Sequence, residues 1–127
     1  METLAKRPLI VFAFGGGFIG GTRSDMVYFC KEFAKRGYVT ATIDYRLGWG
    51  CLDMTAATLC LCNDYIGLYS ATYRAMQDFN SSLRFLSYYS SQYKIDTNFV
   101  FVSGVSAGSI TAMNAAFMNQ AEIDSKL

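Results

Sequence analysis

The 127-residue sequence contains no histidine, and proline and tryptophan occur once each. The missing histidine removes the side chain that most often serves as a general base or a metal ligand. The formal net charge is only +1, so charge indicates neither a nucleic-acid partner nor an anionic membrane. No low-complexity tract marks a linker, and the length suits one domain, expected to span residues 1–127.

Long apolar runs that would mark a membrane protein are also lacking. The N-terminal METLAKRPLIVFAFGGG places Lys6 and Arg7 before an apolar run, but glycines interrupt this run after about six residues and no A-x-A site follows. Residues 97–121 carry no charge and are long enough to span a bilayer. Because serines, asparagines and glycines divide them, a strand followed by a helix is predicted instead, and no membrane span. The cellular compartment stays open.

Four cysteines, Cys30, Cys51, Cys60 and Cys62, do not form a metal-binding pattern. The C-x-C spacing of the last two differs from that of zinc sites, and no histidine is available to complete one. We therefore expect no metal and no other cofactor. Buried thiols and a disulfide from Cys51 to Cys60 or Cys62 both stay open.

Apolar periodicity divides the chain into alternating strands and helices. Continuous apolar runs with β-branched residues predict strands buried on both faces, and apolar residues three or four positions apart predict helices. The predicted strands are 8–14, 38–46 and 98–104, and the predicted helices are 25–37, 69–93 and 106–120. Residues 48–64 have no clean period and are interpreted as a loop excursion. This order predicts an α/β protein, a three-layer α/β/α sandwich with a parallel sheet.

Two glycine-rich loops, 15–21 and 104–108, follow predicted strands. Since ligands of parallel sheets bind at the carboxyl ends of the strands, the two loops are expected to meet there. Gly15, Gly17 and Gly20 satisfy the dinucleotide-binding pattern G-x-G-x-x-G, and Asp44 follows at the end of the next strand. Against this minor alternative, residues 21–24 separate the glycines from the helix, and a Y-x-x-x-K pair is absent.

The second loop reads Gly104-Val105-Ser106-Ala107-Gly108, which is G-x-S-x-G between a predicted strand and a predicted helix. This is the pattern of a nucleophile elbow, and its alternative is a simple tight turn. An elbow requires small neighbours, since a side chain at Gly104 or Gly108 would collide with the adjoining strand or helix. It also requires a positive φ at Ser106.

Taken together, these motifs resemble the α/β-hydrolases of the carboxylesterase and lipase type, which carry an HGGG-like oxyanion loop. The segment PLIVFAFGGGFIGG is similar to the family's third strand and that loop, and GYVTATIDYRLG to its fourth strand. YRAMQDFNSSLRFL resembles the helix that follows, and KIDTNFVFVSGVSAGSITA the fifth strand, the elbow and the next helix. The resemblance covers about residues 8–120 and implies a parallel strand order of 38–46, 8–14, 98–104.

The resemblance also implies residue roles. Ser106 would attack the carbonyl of a small-molecule ester and form an acyl-enzyme, while the backbone N–H groups of Ala107, Gly16 and Gly17 would stabilise the oxyanion. Phe14 departs from the family, which usually has histidine there, and this departure affects the expected loop geometry more than the chemistry.

Three charged residues near these motifs, Asp44, Arg46 and Asp78, are interpreted as structural ion pairs or caps rather than as catalytic groups.

The catalytic acid and base of such a hydrolase are not evident in the sequence. In this fold the triad runs Ser, then Asp or Glu, then His, and Glu122 and Asp124 come too soon after the elbow helix to be the acid. The chain is therefore expected to be an incomplete domain, the N-terminal half of an esterase, inactive alone and prone to self-association through its exposed sheet edges. The alternative is a non-catalytic module that keeps the fold for binding or assembly.

Overall fold

A computed structural model describes residues 5–50 and 64–118. Strands and helices alternate along both segments, as the apolar pattern predicts. The elements are β1 (Arg7–Ala13), a 3₁₀ turn (Arg23–Met26) that leads directly into α1 (Val27–Ala34), β2 (Val39–Ile43), α2 (Tyr65–Tyr88), the single turn α3 (Ser90–Tyr93), β3 (Ile95–Gly104) and α4 (Ala107–Phe117).

The three strands form one parallel sheet with β1 in the middle, in the order β2-β1-β3. The predicted strand order and orientation are therefore confirmed. Leu9 of β1 lies opposite Val39 on one side and Val100 on the other. Residues 9–13 are all buried, which explains the continuous apolar run, because a central strand covered on both faces has no position for a polar side chain.

Helices cover both faces of the sheet, so the three-layer α/β/α prediction is confirmed. On one face, the ring of Phe12 packs against those of Phe29 and Phe33 in α1, with centroids 6.1 and 5.5 Å apart. On the other, α2 and α4 pack against each other, and α4 also contacts β1 and β3. Small buried residues such as Ala75 and Ala112 allow these helices to approach closely.

Element ends differ from the predicted ones where strand pairing or a capping side chain extends an element. Strand β3 begins at Ile95 rather than 98, because Arg7 pairs with Ile95 before the register shifts and Leu9 pairs with Val100. Helix α2 begins at Tyr65 rather than 69, because the Asp64 carboxylate caps it and accepts the N–H of Gly67 at 2.8 Å.

Most of the predicted 48–64 excursion, with Cys51, Cys60 and Cys62, lies outside the described residues. Its two flanks are joined, since the indole Nε1–H of Trp49 donates to the carbonyl of Asp64 at 3.0 Å. Cys30 is a half-buried thiol that forms no disulfide within the described residues, and burial raises its pKa. In residues 5–50 and 64–118, no helix combines the length and apolar character needed to cross a membrane.

Candidate active site

Ser106 lies at the sharp turn between β3 and α4. Its backbone has φ 52° and ψ −119°, so the predicted positive φ is confirmed. Non-glycine residues rarely occupy this region, because it costs about 1–3 kcal/mol and persists only where the surrounding structure imposes it. The residue is exposed, whereas Ala107 and Gly108, which follow it, are buried. The turn therefore presents Ser106 and Val105 at the surface and buries the two residues that follow them.

The two glycines of the turn are required by contact. A Cβ on Gly104 would overlap the carbonyl of Gly108 and lie 2.7 Å from the backbone nitrogen of Ser109. A Cβ on Gly108 would overlap the carbonyl of Ala13, at the end of β1. The collision predicted for side chains at positions 104 and 108 is confirmed. Helix α4 can start directly against the sheet only because both side chains are missing.

Backbone hydrogen bonds fix the start of α4. The N–H of Gly108 donates to the carbonyl of Val105 at 2.9 Å, and the N–H of Ser109 donates to that of Ser106 at 2.8 Å. The Ser109 hydroxyl returns to the carbonyl of Gly104 at 3.0 Å. These bonds leave the Ser106 side chain outside the network that holds the turn.

The glycine loop after β1 has three successive left-handed residues, Gly16 (φ 121°), Gly17 (φ 63°) and Phe18 (φ 60°). The carbonyl of Gly16 accepts the N–H groups of Ile19 and Gly20 at 3.0 and 3.1 Å, which closes the loop into a tight turn. Glycine suits such backbone because it carries no Cβ to oppose a positive φ.

The two glycine loops meet, as expected from their positions at strand ends. A Cβ placed on Gly15 would lie 3.3 Å from the Cβ of Ser106 and 2.9 Å from the carbonyl oxygen of Val105. Within the part of the chain that the structure describes, nothing accepts a hydrogen bond from the N–H of Gly16, Gly17 or Ala107. An exposed serine and three amides without an acceptor in residues 5–50 and 64–118 therefore belong to the two loops that come together.

Phe14 does not take the place of the histidine that the family resemblance implies. Its ring is buried and stacks on that of Tyr45, with centroids 4.3 Å apart and planes 13° apart. The Tyr45 hydroxyl donates to the carbonyl of Phe14 at 2.6 Å, and burial raises the pKa of Tyr45 to about 12. Sequence reasoning missed this contact, since the sequence Asp44-Tyr45-Arg46 alone does not show which backbone atom the tyrosine reaches.

Phe18 anchors the other end of the loop. Its side chain is buried, and its carbonyl accepts the N–H groups of Gly48 and Trp49 at 2.9 and 3.2 Å. Its ring meets Tyr45 edge-on at 6.2 Å. The only signal in the sequence was a large apolar residue inside a glycine-rich loop, a position where exposure would be expected.

The charged residues near the site form ion pairs, as predicted. The Asp44 carboxylate lies 3.0 Å from the guanidinium of Arg23 and accepts its backbone N–H at 2.8 Å. Arg46 and Asp78 are joined at 2.9 Å, and hydrogen bonding to Asp78 raises the pKa of Arg46. These contacts connect β2 and the residues after it to neighbouring elements.

The geometry argues against the dinucleotide alternative. Helical structure begins only at Arg23, beyond the glycines, and its first amides are already capped by the hydroxyl of Thr22 and the carboxylate of Asp25. Asp44, the residue that would hold a ribose, is bound to Arg23. A pyrophosphate would therefore find no open helix start beside these glycines. No group of three or more metal-ligating side chains occurs among the described residues.

Comparison with known proteins agrees with this geometry. The BD-FAE family model matches residues 1–58 and 60–127. The apo form of Thermogutta terrifontis esterase 2 superposes with a TM-score of 0.66 at 25% identity, over 90% of this chain and 36% of that one. Its propionate-bound form gives 0.65 at 23% identity, over 94% and 40%.

No curated protein sequence matches the chain. The chain spans little more than a third of the length of the Thermogutta esterase. Nearly every residue is covered by one family model, and the sheet order, the layers and the turn at Ser106 agree with an esterase fold. The chain therefore belongs to the BD-FAE family and has an α/β-hydrolase fold of the esterase type, present in part.

Proposed function

We propose that the chain supplies the nucleophile and the oxyanion hole of a carboxylesterase-like serine hydrolase that acts on small carboxylic esters. The observation that carries the proposal is the meeting of the two loops: Gly15 lies against exposed Ser106, and the N–H groups of Gly16, Gly17 and Ala107 have no acceptor among the described residues. Preorganised backbone donors of this kind are the usual means of stabilising a tetrahedral oxyanion.

In the proposed reaction, the Oγ of Ser106 bonds to the ester carbonyl carbon, and the carbonyl oxygen becomes an oxyanion. The three amides donate hydrogen bonds to it. Collapse of this intermediate breaks the bond to the alcohol, which leaves with a proton, and an acyl-enzyme remains on Ser106. Water then attacks the acyl group, releasing a carboxylic acid and restoring the serine hydroxyl.

The proton of Ser106 needs an acceptor, and the 127 residues contain no histidine. A serine hydroxyl is a weak nucleophile unless a positioned base removes its proton during attack. The proposal therefore assigns the base and its orienting carboxylate to polypeptide outside these residues. Alone, the chain is expected to keep only the contribution of the oxyanion hole.

Structures of Thermogutta esterase 2 support small esters as substrates and organophosphates as reagents for the serine. That enzyme has been observed phosphorylated by paraoxon and with propionate or butyrate bound. Short-chain carboxylic acids are the products expected from hydrolysis of small esters. For this chain we propose the same ester class, with organophosphates as reagents for Ser106.

The absence of histidine favours a second candidate, a non-catalytic module that keeps the hydrolase fold for binding or assembly. Such a module would not need a preorganised oxyanion hole, because no carbonyl oxygen of a substrate becomes an oxyanion there. Reactivity of Ser106 without a base therefore separates the two candidates.

The test is prolonged incubation of the purified chain with paraoxon at mildly alkaline pH, followed by intact-mass measurement and peptide mapping. We expect one diethylphosphoryl group on Ser106, added about 100-fold faster than to Ser103 or Ser109, since one oxyanion donor is worth about 10²–10³ in rate. Ser106→Ala should remove the adduct, and urea should abolish the selectivity. Labelling of Ser103, Ser106 and Ser109 at similar rates would contradict the proposal and favour the non-catalytic module.

We also propose that a second copy of the chain pairs with the outer edge of β3. Phe99, Phe101, Met113 and Phe117 are exposed there, and an apolar groove of about 470 Å³ lies between β3 and α4. Counting the neighbouring aliphatic side chains, roughly 600 Å² of apolar surface is exposed, near the 800 Å² per partner of a standard interface. A twofold axis would make the paired β3 strands antiparallel.

Light scattering during size-exclusion chromatography tests this pairing. We expect a dimer or larger species for the unchanged chain and more monomer for Phe101→Lys, because a charge on an edge strand opposes pairing. Tyr28→Lys, on exposed α1 away from this edge, is the matched control. A sharp monomer peak for the unchanged chain would contradict the proposal.

A further inference from the structure

We infer that Tyr45 is a positioning residue for the glycine loop, and that its side chain holds both ends of residues 15–17 at once. The inference rests on the proposed function, because amides that bind an oxyanion must be held in a defined position. Tyr45 touches no substrate in this account and acts only through the backbone that it holds.

The first contact is at the end of β1. The Tyr45 hydroxyl donates to the carbonyl of Phe14 at 2.6 Å, and the two rings stack with centroids 4.3 Å apart. Both side chains are buried. A buried hydroxyl that loses its acceptor has no water to replace it, so this bond fixes where the chain leaves the sheet.

The second contact is at the far end of the loop. The Phe18 ring meets the Tyr45 ring edge-on at 6.2 Å, and the Phe18 carbonyl is held by the N–H groups of Gly48 and Trp49. Phe14 and Phe18 bracket the three glycines 15–17. One side chain from the segment after β2 therefore contacts both residues at which the loop joins the rest of the protein.

Anchoring matters because the glycines between these contacts have little conformational preference of their own. Gly16 and Gly17 have positive φ, and glycine passes readily between left- and right-handed regions. Oxyanion donors must lie about 2.7–3.1 Å from the charged oxygen, so a small displacement of the loop weakens both amides. In place of the histidine implied at position 14, this chain uses an apolar ring and a phenol.

The experiment compares Tyr45→Phe with the unchanged chain. Phenylalanine keeps the stacked ring and removes only the hydroxyl. Tyr38→Phe is the matched control, because Tyr38 packs against Phe33 and Phe101, away from the loop. Two quantities are measured: the rate at which paraoxon labels Ser106, and amide hydrogen exchange by NMR.

The amides that report on the loop are those of Ile19 and Gly20, which are bonded to the carbonyl of Gly16. The amides of Gly108 and Ser109 report on the turn at Ser106. For Tyr45→Phe we expect about 3- to 10-fold faster exchange at Ile19 and Gly20 and a similar loss in labelling rate, the size of one net hydrogen bond. Gly108 and Ser109 should keep their exchange rates, and Tyr38→Phe should change neither quantity.

Two results would overturn the inference. One is unchanged exchange at Ile19 and Gly20 in Tyr45→Phe. The other is a uniform rise at all four amides, which would mean that Tyr45 contributes only to general stability. If Ser106 in the unchanged chain is not labelled selectively, the proposed function fails, but the exchange rates still decide whether Tyr45 holds the loop.

Discussion

The two loops that meet at Ser106 are held in different ways. The turn at residues 104–108 is fixed by close backbone contacts among small residues and the end of β1, where an added Cβ on Gly104 or Gly108 would collide with main-chain atoms. The glycine loop at 15–18 is fixed by aromatic side chains and hydrogen bonds from residues about thirty positions away, including Tyr45 and Trp49. The loop has close backbone contacts as well, since a Cβ on Gly16 would overlap the carbonyl of Gly20, but it also depends on distant side chains that the turn does not use.

The largest expected effect is the loss of ester hydrolysis when the two loops are present without a base. We expect the purified chain to hydrolyse p-nitrophenyl acetate no faster than Ser106→Ala, because no positioned base takes the serine proton. The scale of such a loss is known from the serine protease subtilisin, where removing the serine or the histidine lowers kcat about 10⁶-fold.

The measurement is initial rate against enzyme concentration, with Ser106→Ala as the control for hydrolysis by surface groups. Turnover well above that control would mean that another residue of the chain acts as the base.

A second effect compares a crowded glycine of the turn with an open glycine of the loop. Gly108→Ala should lower the free energy of unfolding by about 3 kcal/mol or more, because its Cβ has no space beside the carbonyl of Ala13. Gly20→Ala is the matched control in the other loop, where a Cβ meets nothing within 4 Å, and its effect should stay within about 0.5 kcal/mol.

Urea unfolding followed by circular dichroism measures both variants. Equal destabilisation by the two alanines would mean that the close approach of Gly108 to Ala13 does not constrain the turn.

Because buried Tyr45 supports the loop, we expect the protein to lose stability at high pH, where this hydroxyl ionises. The pKa of Tyr45 is raised to about 12 from an ordinary value of 10, so the folded chain holds this proton more tightly than the unfolded chain. Its contribution is complete below pH 10 and decreases as pH rises to about 12, by up to about 2–3 kcal/mol.

Unfolding curves at pH 9 to 11.5 for the unchanged chain and Tyr45→Phe isolate this contribution, because the other titrating groups cancel in the difference. A difference that stays constant with pH would show that Tyr45 titrates normally.

The smallest expected effect concerns the ion pair between Asp44 and Arg23. Both side chains are more than half exposed, so Asp44→Asn should cost no more than about 1 kcal/mol, and less at high salt. The asparagine oxygen can still accept the backbone N–H of Arg23. A fall in the free energy of unfolding of more than about 2 kcal/mol at any salt concentration would mean that this ion pair is important for the stability of the site.

Features that depend on local spacing could be predicted from the sequence. The order of apolar runs predicted the parallel sheet and its layers, the family resemblance implied the strand order, and G-x-S-x-G predicted the positive φ of Ser106; the structure confirms all of these. The ion pairs of Asp44 and Arg46 were also expected. The roles of Ser106, Ala107, Gly16 and Gly17 stay predictions until reactivity is measured.

The contacts that support the glycine loop could not be predicted in the same way. The bond from Tyr45 to Phe14 spans 31 positions and exists only because β1 and β2 are adjacent. No local sequence pattern predicts the left-handed backbone of Phe18. The hydrogen bond from Trp49 to Asp64 joins the two ends of a segment whose sequence has no clear periodicity. Such contacts follow from which strand ends become neighbours after the sheet has formed.

The central place of β1 has a consequence for synthesis on the ribosome. Leu9 pairs with Val39, which is made soon after it, but also with Val100, which emerges much later. At about 5–20 residues per second, β3 follows β2 after roughly 3–11 seconds. During that interval one edge of the most apolar strand has no neighbour, so a nascent chain stalled after β2 should be the form that chaperones bind most strongly.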